Sequence, residues 1–204
     1  MFFKQIETGF DRNFSYIIAD GKTKEAVIID PSRDTNKILK IIEEENLNVL
    51  FISNTHDHID HTIGNKDIIE KTEAKIIQLK DNEIIKLGKL KIKAIYTPGH
   101  SKDHLCFLVK DKLLTGDLLF VGKIGGTGSD FPGSDSMEEF ESLHKILKLP
   151  DDTEVWPGHD YGVKKSSTIG HEKKTNPFLL RKNFEDFQNL KDNWAEYKKE
   201  HNIQ

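Results

Sequence analysis

The sequence predicts a mixed α/β (α+β) fold in which two mixed sheets pack together with helices outside. Three observations predict it. Short strand-like runs come in groups with helical stretches between them, an order that builds layers. One run, "VLFIS" at 49–53, is continuously apolar, the pattern of a strand covered on both faces. The helical stretches are apolar on one side only, so each has a face to lay on a sheet.

In chain order, "NFSYIIAD" and "EAVIID" read as strands flanking the turn residues "GKTK". "TNKILKIIEEENL" reads as a helix, with Ile38, Ile41 and Ile42 on its apolar face and Leu39 widening it. "VLFIS" is the next strand and "TIGNKDIIEKTEA" the next helix. "KIIQL", "EIIKL" and "LKIKAIYT" read as strands, the last placing Leu90, Ile92, Ala94 and Tyr96 on one face. "HLCFLVK" and "KLLTGD" form two more strands around a turn at Asp111. "MEEFESLHKILKL" is an amphipathic helix, and "TEVWPGH" is a strand running into a loop. The tail, about 177–204, is expected as a short helical extension of one or two helices. It would pack on the body through Phe178, Leu179, Phe184, Phe187, Leu190 and Trp194. Residues 1–204 are expected to form a single domain, since no linker or repeat interrupts them.

Bulk properties narrow the function. The formal net charge is −4 with both signs interspersed, which is not the basic footprint of a nucleic-acid binder. No apolar segment approaches the roughly 20 residues of a membrane span. The opening "MFFKQIETGF" lacks the apolar stretch and small-residue cleavage site of a secretory signal. The single cysteine, Cys106, allows no intrachain disulfide, so a cytoplasmic setting is expected. Cys106 lies in "LCFLV" and reads as a core thiol.

The chemistry starts at "THDHIDH", Thr55–His61. Three histidines and two aspartates fall within six positions, directly after an apolar strand. On an extended backbone His56 and His58 share a side, and Asp60 and His61 follow. Packing does not explain such a cluster, because buried polar groups are costly unless paired. Imidazole with carboxylate suits zinc, iron or manganese. Three later loops repeat the theme: "YTPGHS" presents His100, "LLTGDLLF" presents Asp117 and "VWPGHDY" presents His159. Each ends a strand and carries glycine directly before the polar residue, which lets the backbone turn sharply. Seven donors are too many for one tetrahedral ion and suit two ions sharing a carboxylate. A structural zinc site is closed, four-coordinate and usually rich in cysteine, so a set without cysteine points to catalysis. No G-x-S-x-G element suggests a serine nucleophile.

The motif "THDHIDH", completed by the Asp117 and His159 loops, resembles the HxHxDH signature of the metallo-β-lactamase superfamily over about residues 1–180. "TPGHS..H", "TGDLLF", "PGHDY" and "TNPFLL" are most similar to the hydroxyacylglutathione hydrolase (glyoxalase II) branch and the related persulfide dioxygenases. The resemblance implies a four-layer αββα sandwich. It implies one metal on His56, His58 and His100, a second on Asp60, His61 and His159, and Asp117 bridging. The expected cofactors are two divalent transition-metal ions, zinc first, with iron or manganese compatible. The expected reaction is hydrolysis of a small-molecule thioester by metal-bound hydroxide, with Asp60 and Asp117 as catalytic carboxylates. The alternative is a dioxygenase acting on glutathione persulfide, with one Fe(II) on His56, His100 and Asp117.

Tyr161 matches a tyrosine that binds glutathione in the glyoxalase II branch. After Asp117, relatives of that branch carry a cysteine-glycine-arginine or cysteine-glycine-lysine element. Here Ile124, Gly125 and Gly126 stand there, with Lys123 offset, and the tail is shorter than a full helical substrate-binding domain. Both departures predict weaker glutathione recognition. Asp30, at the end of "IIDPS", is expected to support the histidine loop by hydrogen bonding. His104 and Asp57 are expected to stand behind the ligands rather than among them. His144 is expected as a surface or boundary residue and His171 in a structural loop, while His201, in the tail, carries no signal.

Overall fold

A computed structural model describes residues 1–9 and 11–203. Five strands form one sheet: β1 (Phe2–Glu7), β2 (Phe14–Ala19), β3 (Glu25–Ile29), β4 (Asn48–Ser53) and β5 (Lys75–Ile76). β1, β2 and β3 pair antiparallel, then β3, β4 and β5 pair parallel. The second sheet uses β6 (Ile84–Leu87), β7 (Leu90–Tyr96), β8 (Leu105–Val109) and β9 (Lys112–Gly116). A hairpin of β10 (Leu119–Phe120) and β11 (Lys123–Ile124) follows, then β12 (Glu154–Pro157) and β13 (Ser167–Thr168). The second sheet runs β13-β12-β9-β8-β7-β6, with β12 parallel to β9 and the other pairs antiparallel. Both sheets are therefore mixed.

Strand alternation builds three apolar layers from these two sheets. Phe14, Tyr16 and Ile18 of β2 face inward and meet Ile92, Ala94 and Phe107 of the second sheet. Ile17 and Ala19 point the other way, onto α1 (Thr35–Glu44) and α3 (Asn65–Thr72) through Ile38 and Ile68. On the far face, Ile95, Cys106, Leu113 and Val155 pack against α4 (Ser136–Ile146) and α6 (Phe184–Asp192) through Leu143, Phe187 and Leu190. The result is helix, sheet, sheet, helix. Each fully buried Ile or Leu contributes about 1.5–3 kcal/mol by leaving water. Cover on both faces leaves β2 buried at every position.

The structure differs from the sequence reading in several places. β1 carries no clear signal in the sequence, because "FFKQIE" is an edge strand with only Ile6 buried and shows no apolar run. "KIIQL" shrinks to the two residues of β5. Tyr96 shares the parity of Leu90 and Ile92 but is 40% exposed, and its hydroxyl donates to the Lys102 carbonyl. Ile95 instead is buried, in the helix-side layer. Two helices emerge where the sequence reads as loop: α2 (Ile59–Thr62) inside the histidine motif, and α5 (Ile169–Thr175) capped by the Thr168 hydroxyl. α6 and α7 (Trp194–Glu200) lie on the second sheet's outer layer, with Trp194 and Tyr197 packed against it. Cys106 is fully buried, and burial pushes its thiol up to about 12. No helix among the described residues is long and apolar enough to cross a membrane.

Candidate metal centre

Four strand ends deliver the polar cluster to one edge of the sandwich. His56 and His58 follow β4, His100 follows β7, Asp117 follows β9 and His159 follows β12. Asp60 and His61 do not continue an extended loop, as strand alternation alone would have them. They ride on the single turn of α2, which His58 starts and whose Thr62 hydroxyl donates back to the His58 carbonyl. That turn sets Asp60 beside His61 and His159 and lays the His61 ring between His56 and Asp117.

Two outer groups of donors result, linked by a third made of His56, His61 and Asp117. His58 Nδ1 lies 2.9 Å from His56 Nε2 and 3.1 Å from His100 Nε2. Across from them, His159 Nε2 is 3.4 Å from Asp60 Oδ2, and His61 Nε2 is 3.5 Å from the same oxygen. Asp117 stands between the groups. Its Oδ1 is 3.4 Å from His61 Nε2, and its Oδ2 is 3.2 Å from His159 Nε2 and 3.7 Å from His100 Nε2. The donor atoms of His56, His58 and His100 lie within 4.8 Å of one another, as do those of Asp60, His61 and His159.

The nitrogens behind these donors are already committed. His100 Nδ1 donates to the Gly126 carbonyl at 2.8 Å, and His159 Nδ1 to the Asp11 carbonyl at 2.8 Å. A carbonyl only accepts, so both rings carry a proton on Nδ1 and turn Nε2 toward the cluster. Asp30 fixes two more. Its carboxylate accepts the Thr55 amide and hydroxyl, both at 2.7 Å, and His61 Nδ1 at 3.0 Å. The Thr55 oxygen is then free to accept from His56 Nδ1 at 3.0 Å. Asp30 reaches all of these from a left-handed backbone at φ 51°, a conformation uncommon outside glycine. His104 is fully buried, accepts the Asp117 amide on Nε2 and donates from Nδ1 to Thr97, so it braces Asp117 from behind. The glycines before the three later residues are required. Gly99 and Gly116 sit at φ 144° and 47°, and a side chain on Gly158 would strike Asp117 and His61.

The two groups differ electrostatically. Burial holds His56 and His100 below the ordinary histidine value, and the positive charge of His61 lowers His56 further. These rings stay neutral and ready to coordinate. For His61, burial acts the same way, but the charges of Asp117 and Asp30 overcome it and raise the ring well above its usual value. Burial likewise opposes the charged form of His159, yet Asp117 and Asp60 push it up to about 10. A raised histidine stabilises the fold fully below its unfolded value near 6.5, and that contribution is lost as pH rises through about 10. The metal-free protein should therefore melt lower as pH is raised from about 7 to about 10. His159→Ala should flatten that dependence, and a variant with an unchanged slope would show that this ion pair is not its source.

Other expected residues fall elsewhere. Asp57 is exposed and belongs to none of the donor groups. His171 is exposed on α5, His201 is exposed beside Tyr197, and His144 is half-buried against Phe140. Tyr161 stacks on His159, with ring centroids 4.6 Å apart, and its hydroxyl donates to Asp11 Oδ2. The Arg12 guanidinium lies 5.0 Å over the Tyr161 ring, and Lys123 Nζ donates to the Tyr161 carbonyl. At Gly126 a side chain would collide with the Phe131 ring, which stands 5.1 Å from His100. Sequence reasoning missed Asn13. Its Nδ2 donates to Asp60 Oδ2 at 2.7 Å, and its backbone bridges to His159. An asparagine opening a strand carries no signature of that task.

The donor set fits a metal. Lone pairs on His56 Nε2 and His100 Nε2 both face His58 Nδ1, and one proton there can serve only one of them. Among the described residues, His61 Nε2 and Asp117 Oδ1 are buried without a hydrogen-bond partner, both turned into the cluster. A divalent cation, displacing the proton on His61 Nε2, would satisfy the convergent nitrogens and the unpartnered Asp117 oxygen together.

Comparisons with known proteins agree. Residues 8–78 and 75–159 match the family model described as the Metallo-beta-lactamase superfamily. The hydroxyacylglutathione hydrolase of Pelagibacter ubique is 34% identical, over 78% of this chain and 72% of that one. The "Probable polyketide biosynthesis zinc-dependent hydrolase BaeB" of Bacillus velezensis is 30% identical, over 88% of this chain and 87% of that one. The crystal structure of ETHE1 from Myxococcus xanthus superposes with a TM-score of 0.88 at 30% identity, covering 95% of this chain and 91% of that one. With its sandwich, its four converging strand ends and these matches, the chain belongs to the metallo-β-lactamase superfamily.

Proposed function

We propose that this chain is a metal-dependent thioester hydrolase of the glyoxalase II type, acting on a hydroxyacylglutathione-like substrate. The observation that carries the reading is the pair of three-donor groups sharing Asp117. On this reading His56, His58 and His100 hold one divalent ion, Asp60, His61 and His159 hold a second, and Asp117 bridges. Zinc is the first expectation for both. When bound, such ions supply hydroxide at neutral pH, by lowering the pKa of water from about 15.7 to about 7, and polarise a carbonyl.

The chain's own residues do the rest. Asp60 is the most open of the carboxylates, with its side chain 37% exposed, and Asn13 holds one oxygen of it. Burial alone would raise its pKa, but the hydrogen bond to His159 and the charge of His61 bring it well below the usual range. It is thus an acceptor poised to orient an attacking water. Asp30, Gly126 and the Asp11 carbonyl keep the ring tautomers fixed, so no reorganisation is needed when substrate arrives. Tyr161 flanks His159 with Arg12 and Lys123 beside it, a cationic and aromatic flank suited to an acidic thiol leaving group. Phe131 occupies the space a basic side chain at 126 would need, so glutathione selectivity should be weaker than in full-length glyoxalase II.

A panel of thioesters with the metal-loaded protein tests this. S-Lactoylglutathione and thioesters of other thiols should be cleaved, with a smaller preference for glutathione than in enzymes that carry the basic residue. The likeness to ETHE1 also fits the persulfide dioxygenase alternative. Oxygen consumption with glutathione persulfide, with no thioester cleaved, would establish that alternative instead.

A further inference from the structure

A buried ion pair joins the C-terminal helices to the His100 side of the centre. Glu139 on α4 is 0% exposed, and Lys191 on α6, only 11% exposed, donates to its Oε2. The same ammonium donates to the Gly125 carbonyl at 3.2 Å. The next residue's carbonyl, that of Gly126, is the acceptor that fixes His100 Nδ1. Gly125 itself packs against the Asp117 backbone, leaving no room for a side chain, and its amide reaches the Leu118 carbonyl. From the other side, α4 grips the segment before His100. The Ser142 hydroxyl donates to the Pro98 carbonyl at 2.6 Å, and the Asp135 amide donates to the Gly99 carbonyl at 2.7 Å.

Stability alone does not explain the pair. Desolvating two charges costs much of what their attraction returns, and apolar residues of similar volume are often as stable or more so. Burial pushes Glu139 up to about 7 even with Lys191 against it, and its second oxygen has no partner among the described residues. An arrangement so poorly rewarded in the core calls for a reason outside it. Lys191 bonds both α4 and the loop that orients His100.

We infer that Lys191 is a positioning residue. Held by Glu139, it fixes the Gly125–Gly126 turn so that the Gly126 carbonyl keeps His100 in the tautomer that offers Nε2 to the metal. The C-terminal helices are then part of the support of the centre. The inference rests on the metal-centre reading.

The test compares zinc retention by zinc-loaded proteins challenged with a chromophoric chelator, alongside their melting. Glu139→Leu/Lys191→Met replaces the pair by apolar side chains and removes the donor to Gly125. It should hold zinc about 10–100-fold more weakly, the scale for losing a group that orients a ligand, while still melting cooperatively. Should that variant fold poorly, Lys191→Met alone leaves a protonated Glu139 and carries the same expectation. Lys191→Arg keeps a donor and should restore retention toward the parent, a recovery that a purely structural role would not produce. Parent-like zinc retention in the folded variants lacking the lysine overturns the inference and leaves the metal reading standing. A parent that binds no zinc overturns both.

Discussion

Asp117→Ala is expected to abolish ordered metal binding and to reduce thioester turnover by roughly four orders of magnitude, the scale seen when one member of a catalytic unit is removed. The Asp117 carboxylate lies between the two outer donor groups, and with His56 and His61 it forms a third set of donors within 4.8 Å of one another. Its two oxygens lie 3.2–3.4 Å from His159 and His61, and one also lies 3.7 Å from His100. Burial would raise its pKa, but His61 and His159 hold it well below the usual carboxylate range, so it is an anion at neutral pH. Removing it takes away the proposed shared ligand and leaves two histidines without their strongest counter-charge. The raised pKa values of His61 and His159 should then fall, with Asp30 and Asp60 still holding them partly up. Asp117→Asn keeps the volume and hydrogen-bonding reach but not the charge. It should fold at least as well as the alanine variant without regaining the metal, which would separate shape from electrostatics. Parent-like metal content in both variants would contradict the role.

His159→Ala and Asp60→Ala should each lower the metal content from about two ions toward one, and hydrolysis should fall with the second ion. His159 is buried between Asp117 and Asp60, with its Nδ1 anchored on the Asp11 carbonyl. Asp60 touches His159 and His61 but nothing in the His56, His58 and His100 group. The proposed first ion therefore keeps its three histidines in either variant. On the mononuclear iron alternative neither residue is a ligand. Both variants would then keep about one iron and lose only the roughly 10–100-fold typical of disturbed supporting contacts. Metal identity and stoichiometry, measured together with oxygen uptake, separate the two.

Much of this arrangement is legible in the sequence. Histidine and aspartate at the ends of apolar runs are costly to bury for any other purpose, so "THDHIDH" and the later glycine-led loops stand out. The layered fold is legible for a similar reason: β2 and β4 are apolar enough to demand cover, and the helices bring matching faces. What stays hidden depends on contacts distant in sequence. The α2 turn overrides local alternation because His58 and Thr62 close it by hydrogen bonding. Asn13 and Asp60 are 47 positions apart, and Lys191 and Glu139 are 52 apart. In the sequence Asn13, Glu139 and Lys191 read as ordinary polar surface. The edge strand β1 has too few buried positions to show a period. The missing basic residue after Asp117 is legible, but not that Phe131 fills its place.

Two ions at the shared Asp117 would make this chain a hydrolase. Elemental analysis of protein purified without a chelating tag, followed by chelation and reconstitution with the thioester assay at each stage, tests this most directly. About two divalent ions per chain are expected, with loss of thioester cleavage when they are stripped and recovery when zinc is returned. A metal-free protein that still cleaves the thioester at the full rate would contradict the dinuclear reading.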